Sequence, residues 1–171
     1  MQLNKLKSIL LFSCFLMAAL SVDAQKFGYL NSAELLEAHP KVKAANSTLE
    51  TYQKQLMSQG EAMVKKFETN YQALAKEAQE GVLSQVQMQK KEAELAEEQQ
   101  KIQAFEVEVQ NKILKKREEL YSPILDEVKV ILESIGKEQG YTMIFDSSGG
   151  TILHANDSEN VMSQVKSKLG I

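Results

Sequence analysis

The sequence predicts a mainly α-helical protein with a small β part. In this fold class a long antiparallel helical hairpin with coiled-coil-like arms extends from a small β-body that is shared between subunits. Three observations lead to it. Between Pro40 and Pro123 there is no other proline, and only Gly60 and Gly81 interrupt a helix-forming composition. Apolar residues recur mostly three or four positions apart on both sides of Gly81. Short segments rich in β-forming residues lie at the two ends of the chain.

Residues 1–24 have the pattern of a secretory signal peptide. Lys5 and Lys7 precede an apolar run that closes with the sequence Ser-Val-Asp-Ala, so that small residues occupy the cleavage-determining positions. The run is about a dozen residues long, which is too short to span a bilayer. We therefore expect cleavage after Ala24 and export of the mature chain.

The mature chain has no cysteine, because Cys14 lies in the apolar run. Two of the 20 basic and one of the 23 acidic residues also lie in residues 1–24, which leaves a net charge of −4. His39 and His154 have no cysteine to join them as metal ligands, and the many carboxylates follow the spacing of a solvated helix face. No nucleotide-binding glycine motif is present. We expect no metal, no cofactor and no enzymatic activity.

The hairpin arm is predicted over residues 41–121. Its first helix, ending near Glu80, would be about 60 Å long at 1.5 Å per residue. Gly81 can end this helix in a left-handed conformation, and Ser84 with Gln87 forms a capping-box pattern that starts the second helix. Residues 89–101 contain few apolar side chains, so we expect a weakly packed tip. Pro123 predicts a kink, since the apolar seam continues in phase beyond it.

Residues 25–40 and 122–171 are predicted to form a discontinuous oligomerisation body. We expect strands at residues 26–30, 141–145 and 151–154, the last two paired as a hairpin, and a final helix at 158–169 capped by Asn156 or Asp157. Three short strands are too few to bury a core alone, which points to other copies of the chain. The predicted oligomer interface comprises Phe27, Tyr29, Ile144, Phe145, Ile152 and Leu153.

Both ends of the mature chain resemble one known family. The opening KFGYLNSAELLEAHPKVKAANSTLE and the closing GYTMIFDSSGGTILHANDSENVMSQVKSKL resemble the corresponding parts of Skp/OmpH proteins, and the order of elements between them is similar throughout. The resemblance implies a periplasmic homotrimer whose three hairpins enclose a client without ATP. The implied function is an ATP-independent holdase chaperone that keeps unfolded outer-membrane proteins from aggregating.

Two interpretations of the arms stay open at this stage. The aromatic side chains Tyr52, Phe67, Tyr71 and Phe105 either lock the seam of the hairpin or contact a client, and the first is the more common role. A structural coiled-coil spacer or adaptor of the cell envelope is the alternative function. The candidate client contacts are Met63, Phe67, Tyr71, Leu74 and Phe105.

The charge of the arms differs from that of the family's best-known members, which are strongly basic. Residues 41–121 contain 13 basic and 13 acidic residues, so the arms are neutral and offer little long-range attraction to anionic surfaces. We therefore do not extend the family's contact with lipopolysaccharide or membrane lipid to this chain. We expect no nucleic-acid partner.

Overall fold

The computed structural model describes residues 25–171, so the predicted signal peptide lies outside the described residues. The observed fold confirms the predicted class, with two long helices and a small sheet. Within the described part of the chain, no helix is both long and apolar enough to cross a membrane. The elements in order are β1 (Lys26–Leu30), α1 (Ser32–Ala38), α2 (Pro40–Gln79), α3 (Gln85–Gln139), β2 (Tyr141–Asp146), a 3-10 turn (Asp157–Glu159) and α4 (Met162–Leu169).

Helices α2 and α3 form the predicted antiparallel hairpin. They contain 40 and 55 residues, which corresponds to about 60 Å and about 80 Å of helix. Gly81 has a φ of +66° at the turn, and Gln87 N donates to Ser84 Oγ at 3.3 Å while Ser84 N donates to Gln87 Oε1 at 2.9 Å. The capping box is thus confirmed. Helix α3 continues without a break through Pro123.

Packing along the hairpin is uneven. At its base, Val42 and Ala45 of α2 form a buried cluster with Ile124 of α3. In α3 the buried residues are Ile124, Val128 and Ile135, all in the last third of the helix. In α2 they are Val42, Ala45, Leu49, Leu56 and Leu74. The hairpin is therefore held mainly at the end nearest the sheet.

The core of the body lies between one face of the sheet, the end of α3 and helix α4. Leu35, Ile135, Val161 and Val165 are each 0% exposed. Burying a side chain of this size contributes about 1.5–3 kcal/mol. This cluster is the most completely buried part of the described chain, so the stability of the protomer is concentrated there.

The sheet has two parallel strands, β1 and β2. The chain between them forms α1 and the whole helical hairpin. Gly28 lets β1 lie against the core, since a Cβ atom at this position would be 3.0 Å from the Tyr141 ring and 3.2 Å from Val161 Cγ1. On the outer side of β1, Tyr29 O accepts a hydrogen bond from Val161 N at 2.9 Å. The N- and C-terminal segments are thereby joined in one unit.

Asp146 connects the end of β2 to the start of α1. Its Oδ1 accepts from Ser32 N at 3.1 Å and from Ser148 N at 2.9 Å, and its Oδ2 accepts from Ser32 Oγ at 2.6 Å and from Ser148 Oγ at 2.9 Å. The Ser32 hydroxyl, followed by the Ser148 N–H, holds the pKa of this carboxyl well below its usual range. The ionised carboxylate fixes the first turn of α1 against the sheet.

His39 forms the junction between the body and the arm. The residue is only 2% exposed, and its Nδ1 accepts a hydrogen bond from Lys41 N at 3.2 Å as the N-cap of α2. Lys41 Nζ in turn lies 2.6 Å from Glu127 Oε2 on α3, and the Lys41 side chain holds the pKa of Glu127 below its usual value. Both arm helices are thus anchored where they leave the body.

Two predictions about the C-terminal segment are wrong. Residues 151–154 form no strand, because a strand needs a neighbouring backbone and this segment has none within the described chain. The final helix begins at Met162, four residues later than predicted, and a 3-10 turn precedes it. Its N-cap position is Val161 and not Asn156 or Asp157. The preceding Asn160 contacts the first turn, since its Oδ1 accepts from Met162 N at 2.9 Å.

Candidate functional site

One candidate surface is the face of the sheet turned away from the core, which we call the sheet face. Phe27, Tyr29, Phe145 and Ile152 line a groove of about 500 Å³ there. The rings of Phe27 and Phe145 lie 6.0 Å apart between centroids at an interplanar angle of 48°, and these residues are 42% and 45% exposed. Apolar side chains at such exposure form a typical interaction surface.

The structure divides the six residues of the predicted oligomer interface. Four of them line the groove of the sheet face. Ile144 packs against the core of its own chain, because neighbouring residues of a strand point to opposite faces. Leu153 is 96% exposed and lies in the segment that has no strand partner. A role of these six residues in contact between subunits stays a prediction.

The second candidate surface lies on the arms and consists of exposed apolar residues spaced by heptads. On α2, Met57, Val64 and Tyr71 are 63%, 41% and 60% exposed. Residues seven positions apart share one side of a coiled-coil helix. Helix α3 carries a similar row of large apolar residues, Val86, Val107 and Leu114, which are 75%, 68% and 61% exposed. We call these six residues the arm stripes.

The five candidate client contacts have different environments. Tyr71 belongs to the arm stripes, and Phe67 stacks on it with 6.3 Å between ring centroids. Leu74 is buried, and it lines a narrow recess between the arms together with Leu95. Met63 is half-buried in a similar recess beside Ile102. Phe105 packs against the α2 backbone at Gly60, where a Cβ atom would lie 3.4 Å from its ring.

Sequence reasoning missed five of the six arm-stripe residues, Tyr71 being the exception. The sequence-based prediction relied on the strongest periodic pattern, which is the row of apolar residues three or four positions apart that packs between the two helices. The arm stripes lie beside this row. The signal was present, since Met57, Val64 and Tyr71 recur every seven residues. On α3 the pattern is weaker, because Gln100 occupies the position seven residues before Val107 where a large apolar residue would continue it.

Polar contacts join the outer parts of the two arms. Glu98 of α3 accepts from Asn70 Nδ2 at 2.9 Å and lies 2.8 Å from Lys66 Nζ, while Lys91 pairs with Glu77 across the hairpin. The hydrogen bond from Lys66, followed by that from Asn70, lowers the pKa of Glu98. These groups remain in contact with solvent at the surface of the hairpin, so each pair contributes little to stability. They align the helices without burying the apolar residues beside them.

Other charges on the arms pair mainly along one helix. Lys54 with Glu50, Lys101 with Glu97 and Lys112 with Glu108 are each four residues apart. Basic and acidic groups thus alternate on the surface, which is consistent with the neutral charge count. Within residues 25–171, no three His, Asp or Glu side chains are grouped so that they could hold a metal ion.

Comparison with known proteins connects these surfaces to a family. The model of the family described as outer membrane protein (OmpH-like) matches residues 26–169. A crystal structure of an OmpH-like protein from Caulobacter crescentus CB15, provisionally described as an outer membrane chaperone, has a TM-score of 0.72 and 14% sequence identity to this chain. The match covers 85% of this chain and 84% of that one, and at this identity it shows a shared fold. No curated protein gives a significant match. Because the family model spans almost all of the described residues, this chain belongs to the OmpH-like family.

Proposed function

We propose that this protein is an ATP-independent holdase chaperone of the periplasm, which binds unfolded outer-membrane proteins and prevents their aggregation. In this proposal the sheet face joins three copies of the chain, and the arm stripes contact the client in the cavity between the hairpins. Family membership supports the proposal, as does the provisional description of the Caulobacter protein as an outer membrane chaperone.

The observation that carries the proposal is the exposure of the arm stripes. Six large apolar side chains on two helices are 41–75% exposed, although the same helices bury other apolar residues in their seam. Unfolded outer-membrane strands alternate apolar and polar residues and aggregate in water. Spaced, shallow apolar contacts suit such a client, because many weak contacts hold an unfolded chain without selecting one bound structure.

The neutral arms favour apolar contact over charge attraction as the source of affinity. Most arm lysines that form ion pairs do so with a glutamate of the same or the facing helix. Three hairpins in one assembly would add avidity, since each further contact becomes intramolecular after the first.

The test is suppression of light scattering when an unfolded outer-membrane β-barrel protein is diluted from urea. The mature chain should suppress aggregation at a stoichiometric ratio without ATP. A variant with Val64, Tyr71, Val107 and Leu114 all replaced by Ser should suppress it much less, while its helical circular dichroism stays unchanged. A matched control replaces the exposed polar residues Gln55, Glu61, Gln103 and Gln110 by Ser and should retain full protection. An unmodified chain that leaves aggregation unchanged would instead support the spacer or adaptor role.

A further inference from the structure

His39 starts helix α2 in a way that requires the neutral form of its imidazole. Pro40 occupies the first position of the helix and has no N–H, so the Lys41 N–H is the first backbone donor of α2. It donates to Nδ1 of His39 at 3.2 Å. An Nδ1 atom that accepts this bond carries no proton, and the neutral imidazole then holds its proton on Nε2. The N-cap of α2 is therefore lost when the ring takes up a second proton.

The second ring nitrogen gives a cation no compensation. His39 is only 2% exposed, and its Nε2 atom is shielded from solvent and has no hydrogen-bond partner among residues 25–171. Burial disfavours the charged form of a titratable group unless the charge gains partners. A cationic ring at this site would lose the bond from Lys41 N and gain no other in its place.

The charges around the ring act in both directions. The 40-residue helix α2 directs the positive end of its dipole at the ring, and Lys41 and Lys43 add positive charge to its first turn. His39 also ends the seven-residue α1, whose carboxyl end and exposed Glu37 favour a cation, but only the backbone of His39 bonds to α1. On α3, the Glu127 carboxylate attracts a charge on His39. Lys41 Nζ already lies 2.6 Å from that carboxylate, and solvent screens the attraction, so the balance favours the neutral ring in the folded arm.

We propose that His39 is a pH-sensitive latch at the base of the arm, and that protonation of its ring releases the first turn of α2 from its cap. In the open form the ring reaches water and is solvated as a cation. An imidazole changes charge between about pH 5 and about pH 8, so the latch responds to mild acid. The opened chain takes up the proton more readily than the closed one, so the contribution of the latch to stability is present at neutral pH and is lost as the pH falls. The latch depends on contacts within residues 25–171 and not on the proposed function.

The first measurement compares two variants that each retain one histidine. The chain contains only His39 and His154, and His154 is exposed. His39→Asn supplies a cap oxygen that does not titrate, whereas His154→Asn is the matched control that keeps the latch. Urea unfolding at one fixed protein concentration gives the ratio of folded to unfolded chain. Between about pH 7.5 and about pH 5.5 this ratio should fall by about threefold to tenfold more in His154→Asn than in His39→Asn.

Hydrogen exchange locates the effect in the unmodified chain. The protection of backbone amides is expressed relative to an unstructured peptide at the same pH, which removes the pH dependence of the exchange chemistry itself. Over the same pH range, protection should fall by roughly threefold or more at residues 41–44 and stay unchanged at core residues 161–165.

Three results would overturn the latch. They are an equal decline of stability in both variants, a decline only in His39→Asn, and unchanged protection at residues 41–44 in mild acid. Because the exchange measurement uses the unmodified chain, it decides the question even if His39→Asn fails to fold.

Discussion

The two ends of helix α3 lie in different environments. Near its C-terminal end Ile135 is 0% exposed and packs with the body core, while in its first half Val107 is 68% exposed. From Gln85 to Ser122 the helix buries no residue completely, although it remains helical throughout. One continuous helix thus contributes to folding at one end and presents apolar surface at the other. The comparison indicates that the buried core and the exposed apolar surface lie in separate regions of the chain.

The contacts that hold each region differ accordingly. The body combines a buried aliphatic cluster with the Asp146 hydrogen bonds, whereas the outer arms rely on polar pairs at the surface, such as Lys66 with Glu98. Buried apolar groups contribute more to folding than exposed ion pairs. A region that is helical but lightly packed can change its side-chain packing without loss of the fold.

The largest expected effect comes from placing the same charge in each region. Phe27→Asp puts a carboxylate on the sheet face and should raise the dissociation constant of the proposed assembly by at least about a hundredfold per interface. Val107→Asp places the same group on the arm stripe and should leave the assembly intact. Sedimentation at several concentrations measures both variants. An equal loss of association in both variants would contradict the distinction between body and arm.

A smaller effect is expected from truncating one leucine in each region. Leu35→Ala opens a cavity at a fully buried site of the body and should cost about 2–5 kcal/mol of unfolding free energy. Leu74→Ala lies in the lightly packed outer arm, which can relax around the smaller side chain, and should cost less than about 2 kcal/mol. Urea unfolding at one fixed protein concentration compares them. A larger loss for Leu74→Ala would contradict the concentration of stability in the body.

The Asp146 hydrogen bonds should make the body sensitive to acid. The folded-state pKa of Asp146 lies below its unfolded value, so its contribution is fully present above about pH 4 and is lost as pH falls through the folded pKa. Asp146→Asn should cost about 1 kcal/mol at pH 7, since the site is exposed and solvent screens it. Below pH 4, the unfolding free energy of the variant should fall less steeply with decreasing pH than that of the unmodified chain. An unchanged acid profile in urea unfolding would rule out this role.

The smallest effect is expected from salt. The arms carry 13 basic and 13 acidic residues over positions 41–121, and client contact is assigned to apolar stripes. Protection in the light-scattering assay should therefore change little between low salt and physiological salt, where the screening length is about 8 Å. A strong loss of protection between low and physiological salt would show that the client is bound by charged groups and not by the arm stripes.

Local sequence chemistry predicted much of this fold. The capping box at Ser84 and the left-handed Gly81 are confirmed, because each depends on residues close in sequence. The seam was predictable for a similar reason, since periodicity marks one side of a helix. The strand at residues 151–154 was predicted wrongly, because strand formation depends on a neighbour that sequence periodicity does not specify.

The candidate surfaces were predictable only in part. Successive side chains of β2 point to opposite faces, so Phe145 is exposed while Ile144 packs on the core. The prediction from composition alone placed both residues in the oligomer interface. Which apolar arm residues stay exposed depends on how α2 and α3 face each other, so Val107 and Leu114 were missed.

In the proposed function, the body assembles the protein and the outer arms protect the client. Replacing residues 51–115 by a short Gly-Ser turn removes the outer part of the hairpin with all six arm-stripe residues, and it leaves the sheet face and the core cluster untouched. Sedimentation and light scattering on the same sample then measure assembly and protection together. The account predicts an unchanged oligomer whose protection of an unfolded outer-membrane protein is strongly reduced. Loss of the oligomer, or full protection without the outer arms, would contradict it.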